Sequence, residues 1–332
     1  MKDNLIDPFN RTINYLRISV TDHCNYRCFY CREEDHITTT ARSEVLSLEE
    51  IAHIARLFSE LGVGKVRLTG GEPLLRKDFV VLAKMLGEIP GITDIPLSTN
   101  AHLLDKYADE IQKLGINRVN ISIDSLIEKR FADITRGGEL NKVIDGIDAA
   151  IKAKMHPIKL NMVVMKDRNA DEIEAMIDFA VERKIDIRFI ETMPIGISGI
   201  EALKQHMSQA DILARVEAHL PNGLEKLALQ KTDGPAHNYK IIGTNSQVGI
   251  ISAVSDNFCA ACNRVRLTAK GKLILCLGQE NAISLRDLIR DGLSDFELKT
   301  AIIEAIGKKP EKHYFNSDKN NIELRQMVEI GG

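Results

Sequence analysis

Tryptophan is absent from the 332 residues, and aromatic residues make up only 5% of them. That is too few for a surface that stacks successive bases of a single-stranded nucleic acid. No apolar run approaches the roughly eighteen residues of a membrane-spanning helix. A basic surplus is missing as well: the formal net charge is −3, which argues against general adhesion to nucleic acid or to an anionic membrane. An anionic ligand must therefore be met by a local group of Lys and Arg. The opening stretch MKDNLIDPFNRT carries charges where a secretory leader places its apolar segment. A soluble, cytoplasmic protein is expected, with neither nucleic acid nor membrane as partner.

A fourth cysteine is missing twice. All six cysteines fall into two triplets, Cys24/Cys28/Cys31 and Cys259/Cys262/Cys276. A chain this long buries enough apolar surface to fold without covalent staples, so stability does not explain them. In a reducing cytosol such spacing points to metal ligands or catalysts rather than disulfides. A lone cysteine is often a small buried hydrophobe, but a thiol in a core needs no fixed spacing. Structural zinc requires four closed ligands, which His23 or His36 could complete for the first triplet. Iron–sulfur cubanes take cysteine thiolates, usually four. Three would leave one iron open to a further ligand.

What is present in abundance is β/α alternation. Residues 15–20, 65–69, 94–99, 118–123, 158–164 and 185–190 read as β-branched strands. Amphipathic helices lie between most of them. In SLEEIAHIARLFSELG, Ser47 and Glu50 form a capping box, Ile51, Ile54, Ala55, Phe58 and Leu61 make one apolar stripe, and Gly62 ends it. Residues 141–153 and 169–184 repeat the pattern. Strands joined by crossover helices demand a parallel sheet, and six units predict an α/β fold: an open, partial (βα)6 TIM-like barrel. After Pro194 the alternation breaks. A Gly/Ser patch at 194–199 precedes a helix near 208–219, then come short strands and helices near 284–306. We expect a partial barrel over 1–195, a connecting segment over 196–230 and a C-terminal α+β region over 231–332.

Placed on this frame, the first triplet follows the first strand directly, on the face where barrel enzymes keep their chemistry. TGGEP (69–73), Ser98–Asn100, ISIDS (121–125) and ETMP (191–194) end other strands on that face. The pair Gly70–Gly71 reads either as a turn or as close backbone approach to a ligand. Arg17 and Arg67 alternate with apolar neighbours and should point into the barrel, where a charge is costly without a partner. Arg264 and Arg266 in RVR share one strand face while Val265 takes the other. Guanidinium groups suit a polyphosphate because they meet its oxygens bidentately. Asp124 and Asn100 read as loop-orienting polar residues.

Cys24-x3-Cys28-x2-Cys31 with Tyr30, together with Gly70-Gly71-Glu72-Pro73, resembles the radical S-adenosylmethionine (SAM) superfamily. SDNFCAACNRVRLTAKGKLILCL and the terminal Gly-Gly resemble, within it, the GTP 3′,8-cyclase family of molybdenum-cofactor biosynthesis. The resemblance implies two [4Fe–4S] clusters. One, on Cys24, Cys28 and Cys31, binds SAM at its open iron and on one-electron reduction gives a 5′-deoxyadenosyl radical. That radical abstracts the ribose 3′ hydrogen of GTP, whose C3′ then bonds to guanine C8, giving 3′,8-cyclo-7,8-dihydro-GTP. The other cluster, on Cys259, Cys262 and Cys276, meets the guanine.

The same resemblance assigns SAM contacts to Tyr30, Gly71, Ser122 and Met193. It assigns GTP contacts to Arg17, Arg67, Ser98, Lys159, Arg264 and Arg266, and assistance in cyclisation to Arg17, Arg266, Gly331 and Gly332. It further implies an external one-electron donor, a cyclic pyranopterin monophosphate synthase that takes the product, and a homodimer. Arg32 stands where Met is usual, Ala101 where Gly is, Lys240 where Arg is and Ala261 where Thr is. None of these departures removes a cysteine or an expected GTP-contacting arginine. Two other readings stand beside this one: a peptide-modifying radical SAM enzyme with an auxiliary cluster, and a non-catalytic zinc protein that binds nucleic acid.

Overall fold

The computed structural model describes residues 4–35, 40–228, 234–256, 258–279, 282–313, 315 and 326–331. Its elements begin with β1 (Tyr15–Ser19), α1 (Leu48–Glu60), β2 (Lys65–Thr69), α2 (Phe79–Gly87), β3 (Leu97–Thr99), α3 (Leu104–Lys113) and β4 (Val119–Ser122). Next come α4 (Glu128–Thr135), α5 (Leu140–Lys152), β5 (Ile158–Val163), α6 (Ile173–Glu182) and β6 (Asp186–Ile190). These are the six expected β/α units. α1 is stapled as anticipated: the Ser47 side chain accepts from the Glu50 N–H, and the Glu50 carboxylate accepts from the Ser47 N–H at 2.7 Å. Ile51, Ile54, Ala55 and Phe58 are buried against the sheet.

The later chain continues with α7 (Gly196–Leu203), α8 (Gln209–His219), β7 (Leu224–Lys226), β8 (His237–Ile241), β9 (Gln247–Ile251) and β10 (Arg264–Leu267). It ends in β11 (Lys272–Ile274), β12 (Ala282–Ser284), α9 (Leu285–Arg290), α10 (Asp295–Ile306) and α11 (Met327–Ile330). One sheet runs through the molecule in the order β12-β11-β10-β1-β2-β3-β4-β5-β6-β9-β8-β7. β10 joins β1 in parallel and β9 joins β6 in parallel. The parallel core is therefore eight strands wide although only six arise from β/α units. The antiparallel hairpins β7–β8–β9 and β10–β11–β12 form its two flanks.

Two local expectations shift. The patch at 194–199 lies largely in α7, where Gly199 is needed because a Cβ would stand 2.5 Å from the Met193 carbonyl oxygen. The strand expected over 94–99 shortens to Leu97–Thr99, with Asp94 only bridged to Lys65. Pro96 has no N–H to give a ladder.

Parallel strands are usually apolar on both faces. Here they alternate. Leu16, Ile18, Val66, Leu68, Val119, Ile121, Leu160 and Phe189 are buried in the core beneath the helices. The opposite face carries Arg17, Arg67, Ser98, Asn120, Ser122, Lys159, Asn161 and Arg188, all lining one cavity. A polar inner face on parallel strands makes a chamber suited to a polar ligand. Among the described residues, no helix is long and apolar enough to cross a membrane.

Candidate active site

The loop after β1 is held by its neighbours. Gly71 donates its N–H to the Thr21 carbonyl at 2.7 Å and Glu72 to the His23 carbonyl at 2.8 Å. A Cβ on Gly71 would lie 2.3 Å from the His23 oxygen, and one on Gly70 2.6 Å from the Thr21 oxygen. The two glycines thus let the second loop seat directly on the cysteine loop. Glu72 is fully buried and accepts from Thr99 Oγ1 and the Asn100 N–H, both at 2.7 Å, and from the Leu74 N–H at 3.0 Å. Burial lifts its pKa to about 7 against those bonds. Tyr30 donates its hydroxyl to Asp124 Oδ2 at 2.7 Å, and Asp124 also accepts from the Val163 N–H at 2.9 Å. Burial raises Asp124 to about 6.

Cys24, Cys28 and Cys31 line the cavity. Burial, then the Glu72 charge, pushes the Cys24 thiol up to about 11. Burial, then Cys24, with Asp124 adding to them, pushes Cys31 up to about 12. Burial and Asp124, followed by the other two thiols, drive Cys28 well above its ordinary range. Three half-buried thiols that repel one another's charge form a donor set suited to a cationic iron–sulfur core. Arg32 is buried alongside, donating to the Tyr26 carbonyl at 2.9 Å.

The second triplet gathers at the other end of the neighbouring strand. Cys259 lies in the 3-10 turn Cys259–Ala261, and Cys262 precedes β10 by two residues. β11 runs antiparallel to β10 with Ile274 opposite Arg266, and that register brings Cys276, two residues past Ile274, back to the level of Arg264, two residues after Cys262. Because β1 and β10 are parallel, the first triplet follows one strand while Cys259 and Cys262 precede its neighbour. The triplets therefore mark opposite ends of the chamber. Arg11 donates to the Cys259 carbonyl at 2.8 Å and is clamped by Asp7 at 2.5 Å. Lys309 is buried and donates to the Leu275 carbonyl. Burial would raise Cys262, but Lys309 and Arg264, with Arg11 and the local backbone, outweigh it and hold the thiol below its ordinary value. Burial raises Cys259 and Cys276.

Among the described residues no three His, Cys, Asp or Glu side chains are placed to hold a single metal ion. The thiolates of a four-iron core stand further apart than ligands of one ion. His23 is exposed, and His36 lies outside the described residues.

Between the triplets lies a cavity of about 340 Å³. The strand register sets its cations in rows. Arg266, Arg17 and Arg67 lie side by side across β10, β1 and β2, and Arg264, Tyr15 and Lys65 form the row before them. Arg67 Nη1 donates to Ser98 Oγ at 3.0 Å. One row further on, level with Thr69, Ser98, Asn120, Lys159 and Asp186 lie side by side across β3 to β6, with Lys159 Nζ 3.2 Å from Asp186. The tail crosses above. Met327 donates its N–H to the Cys31 carbonyl at 3.2 Å, and the Gly331 carbonyl accepts from Arg266 Nη1 at 2.7 Å and Arg17 Nη2 at 3.3 Å. At φ 75° Gly331 sits against Thr69 and Ser19, where a Cβ would meet Thr69 at 2.8 Å.

All ten sequence-derived SAM and GTP positions line this cavity: Tyr30, Gly71, Ser122, Met193, Arg17, Arg67, Ser98, Lys159, Arg264 and Arg266. Cys259, Cys262 and Cys276 do not line it, although Phe258 and Leu277, each adjacent to one of them, do. Gly332 lies outside the described residues. The chamber also contains Tyr15, Lys65, Asn161 and Arg188, which the sequence reading passed over. The signal was there: Tyr15 stands two residues before Arg17, and Lys65 two before Arg67, on the same strand faces.

The Radical SAM superfamily matches residues 18–180, and the family Molybdenum Cofactor Synthesis C matches 185–315. Over 329 residues the chain is 53% identical to the GTP 3′,8-cyclase of Hydrogenovibrio crunogenus, covering 99% of each chain. The chain belongs to the GTP 3′,8-cyclase family. A GTP 3′,8-cyclase of Alkaliphilus metalliredigens is 42% identical over 326 residues, covering 98% of this chain and 99% of that one. Among solved structures, Streptococcus suis SuiB bound to S-adenosylmethionine aligns with TM-score 0.64 at 17% identity, over 96% of this chain and 78% of that one. At that identity it shows the fold alone. Membership in the GTP 3′,8-cyclase family brings its cofactors: a [4Fe–4S] cluster with SAM, and a second [4Fe–4S] cluster.

Proposed function

We propose that this chain converts GTP into 3′,8-cyclo-7,8-dihydro-GTP, the first step toward the molybdenum cofactor. One observation carries the reading: the first triplet follows β1 and lines the cavity, Cys259 and Cys262 precede the adjacent parallel β10, and Arg17, Arg67, Arg264 and Arg266 line the cavity from those strands and β2. Cys24, Cys28 and Cys31 hold the cluster that meets SAM. Cys259, Cys262 and Cys276 hold the one that meets guanine. When bound, cluster and SAM supply the 5′-deoxyadenosyl radical that starts the cyclisation.

The chain's own residues do the positioning. Tyr30, Gly71, Ser122 and Met193 line the SAM end. The guanidinium rows, Ser98 and Lys159 take the nucleotide, and guanidinium bonds to its phosphate oxygens are charge-assisted. Arg17 and Arg266 act on the nucleotide together with Gly331 and Gly332. Residues 1–195 then supply the radical chemistry and 231–332 the second cluster, linked by 196–230. An external one-electron donor, a cyclic pyranopterin monophosphate synthase as taker of the product, a homodimeric assembly and a cytoplasmic location complete the proposal.

The test is anaerobic incubation of the reconstituted, reduced protein with SAM and either GTP or ATP, followed by mass spectrometry. The expected products with GTP are 5′-deoxyadenosine and an isomer of GTP. If 5′-deoxyadenosine forms with no GTP-derived isomer, the cyclase reading fails and the peptide-modifying alternative takes its place.

A further inference from the structure

Tyr15 opens β1 inside the chamber. It is 5% exposed, and its hydroxyl accepts a 2.6 Å bond from Arg67 Nε. Arg264 on β10 and Lys65 on β2 flank it in register, and the Lys65 ammonium stands 4.8 Å from its ring centroid. Arg17, two residues on, and Arg266 beside it fill the next row. Lys65 also lies 3.6 Å from Asp94, which is bonded more closely, at 2.5 Å, to Arg118.

Burial alone would keep the phenol protonated. Arg67, Arg17, Arg264 and Lys65 together overcome it and lower Tyr15 to about 7. The influence is mutual: burial lowers Arg17 to about 10 while Tyr15 pulls it back up. A side chain that is ordinarily neutral is thus surrounded by cations in the chamber that we assign to the nucleotide.

We infer that Tyr15 is the resident anion of the phosphate subsite: as phenolate it balances the guanidinium groups of the free enzyme, and it takes a proton from solvent when the polyphosphate assumes that role. This rests on the proposed seating of GTP among Arg17, Arg67, Arg264 and Arg266. No covalent step is involved, since one phenolate and one solvent proton become one phenol. The sign follows from the direction of the shift. Below pH 7 Tyr15 of the free enzyme is already neutral and binding draws no proton from solvent for it. Above pH 7 each binding event must draw one, so GTP affinity falls by up to about tenfold per pH unit.

The test is calorimetry of GTP binding to the holoprotein at pH 6.5, 7.5 and 8.5, each in two buffers of different ionisation enthalpy, for wild type and Tyr15→Phe. Titration of the GTP phosphates is common to both proteins and cancels. Wild type is expected to take up more protons per GTP than the variant, the difference rising toward one at pH 8.5. Equal counts in the two proteins overturn the inference while leaving the GTP site standing. If Arg266→Ala binds GTP as tightly as wild type, it is the site assignment that fails. Should Tyr15→Phe not fold, wild type labelled with [¹³Cζ]tyrosine decides. One of six tyrosines is expected to show a phenolate signal at pH 8.5 that GTP abolishes. Six phenol signals in the free protein would overturn the inference.

Discussion

The two cysteine triplets have the same count but opposite surroundings. Around Cys24, Cys28 and Cys31, after burial and beside the thiols themselves, the carboxyls Asp124 and Glu72 raise the thiols, with Arg32 pulling against them at Cys24 and Cys31. Around Cys262 the neighbours are Lys309, Arg264 and Arg11, which pull it down. The difference fits the proposed ligands: SAM carries a sulfonium cation to the first site, and the guanidinium rows ahead of the second take the triphosphate of the GTP whose guanine meets that cluster. One chamber therefore has two electrostatic ends.

The largest effect that separates the ends comes from removing a thiol at each. Cys24→Ala is expected to abolish formation of 5′-deoxyadenosine. Cys262→Ala is expected to retain it without cyclised product. In both, iron falls from about eight to about four per chain. Loss of 5′-deoxyadenosine formation from Cys262→Ala as well would show that the ends do not work separately. Next is Gly71→Ala, whose Cβ has no room against the His23 oxygen. Prising the two loops apart by an ångström is expected to slow SAM cleavage by about 10²-fold, with the iron of the second site retained.

At the cationic end, Arg266→Ala removes a charge-assisted contact of about 1.5–3 kcal/mol. A rise of about 10- to 100-fold in KM for GTP is expected, with SAM cleavage in the absence of GTP changing far less. Equal loss of both would move Arg266 out of the nucleotide site. The smallest effects are on potential, read by EPR-monitored redox titration. Asp124→Asn removes negative charge beside the first site and is expected to raise that cluster's potential, while Lys309→Met lowers the second's. Shifts of the same sign would undo the contrast between the two ends. Arg32→Met, which removes a buried guanidinium from the first loop, is expected to lower the first potential.

Local chemistry was readable in advance where a residue's role depends on near neighbours. The Ser47/Glu50 box, the alternation that turns Arg17 and Arg67 inward and the spacing of both triplets are all of that kind. Non-local pairing was not. Nothing in RVR says that it lies against YLRIS, yet that contact makes Arg266, Arg17 and Arg67 one row. Likewise β9 carries no mark of its place beside β6. Tyr15 was missed because a tyrosine at the start of a strand ordinarily means core packing, and only the cations across the strand gap give it another meaning. The glycine pair reads in the sequence as a turn or as close approach to a ligand, whereas a large part of its necessity is the backbone of the cysteine loop pressed against it.

The pairing of β1 with β10 also acts as a ruler. With one triplet beyond the end of β1 and the other ahead of the start of β10, the five residues of β1 set the two sites on the order of 15 Å apart, at ~3.3 Å per residue. Under the proposed function, SAM at one site and GTP at the other must together span that distance. Lengthening that strand pair by two residues would keep every side chain on its face and yet draw the sites about 7 Å further apart, leaving both intact and out of each other's reach.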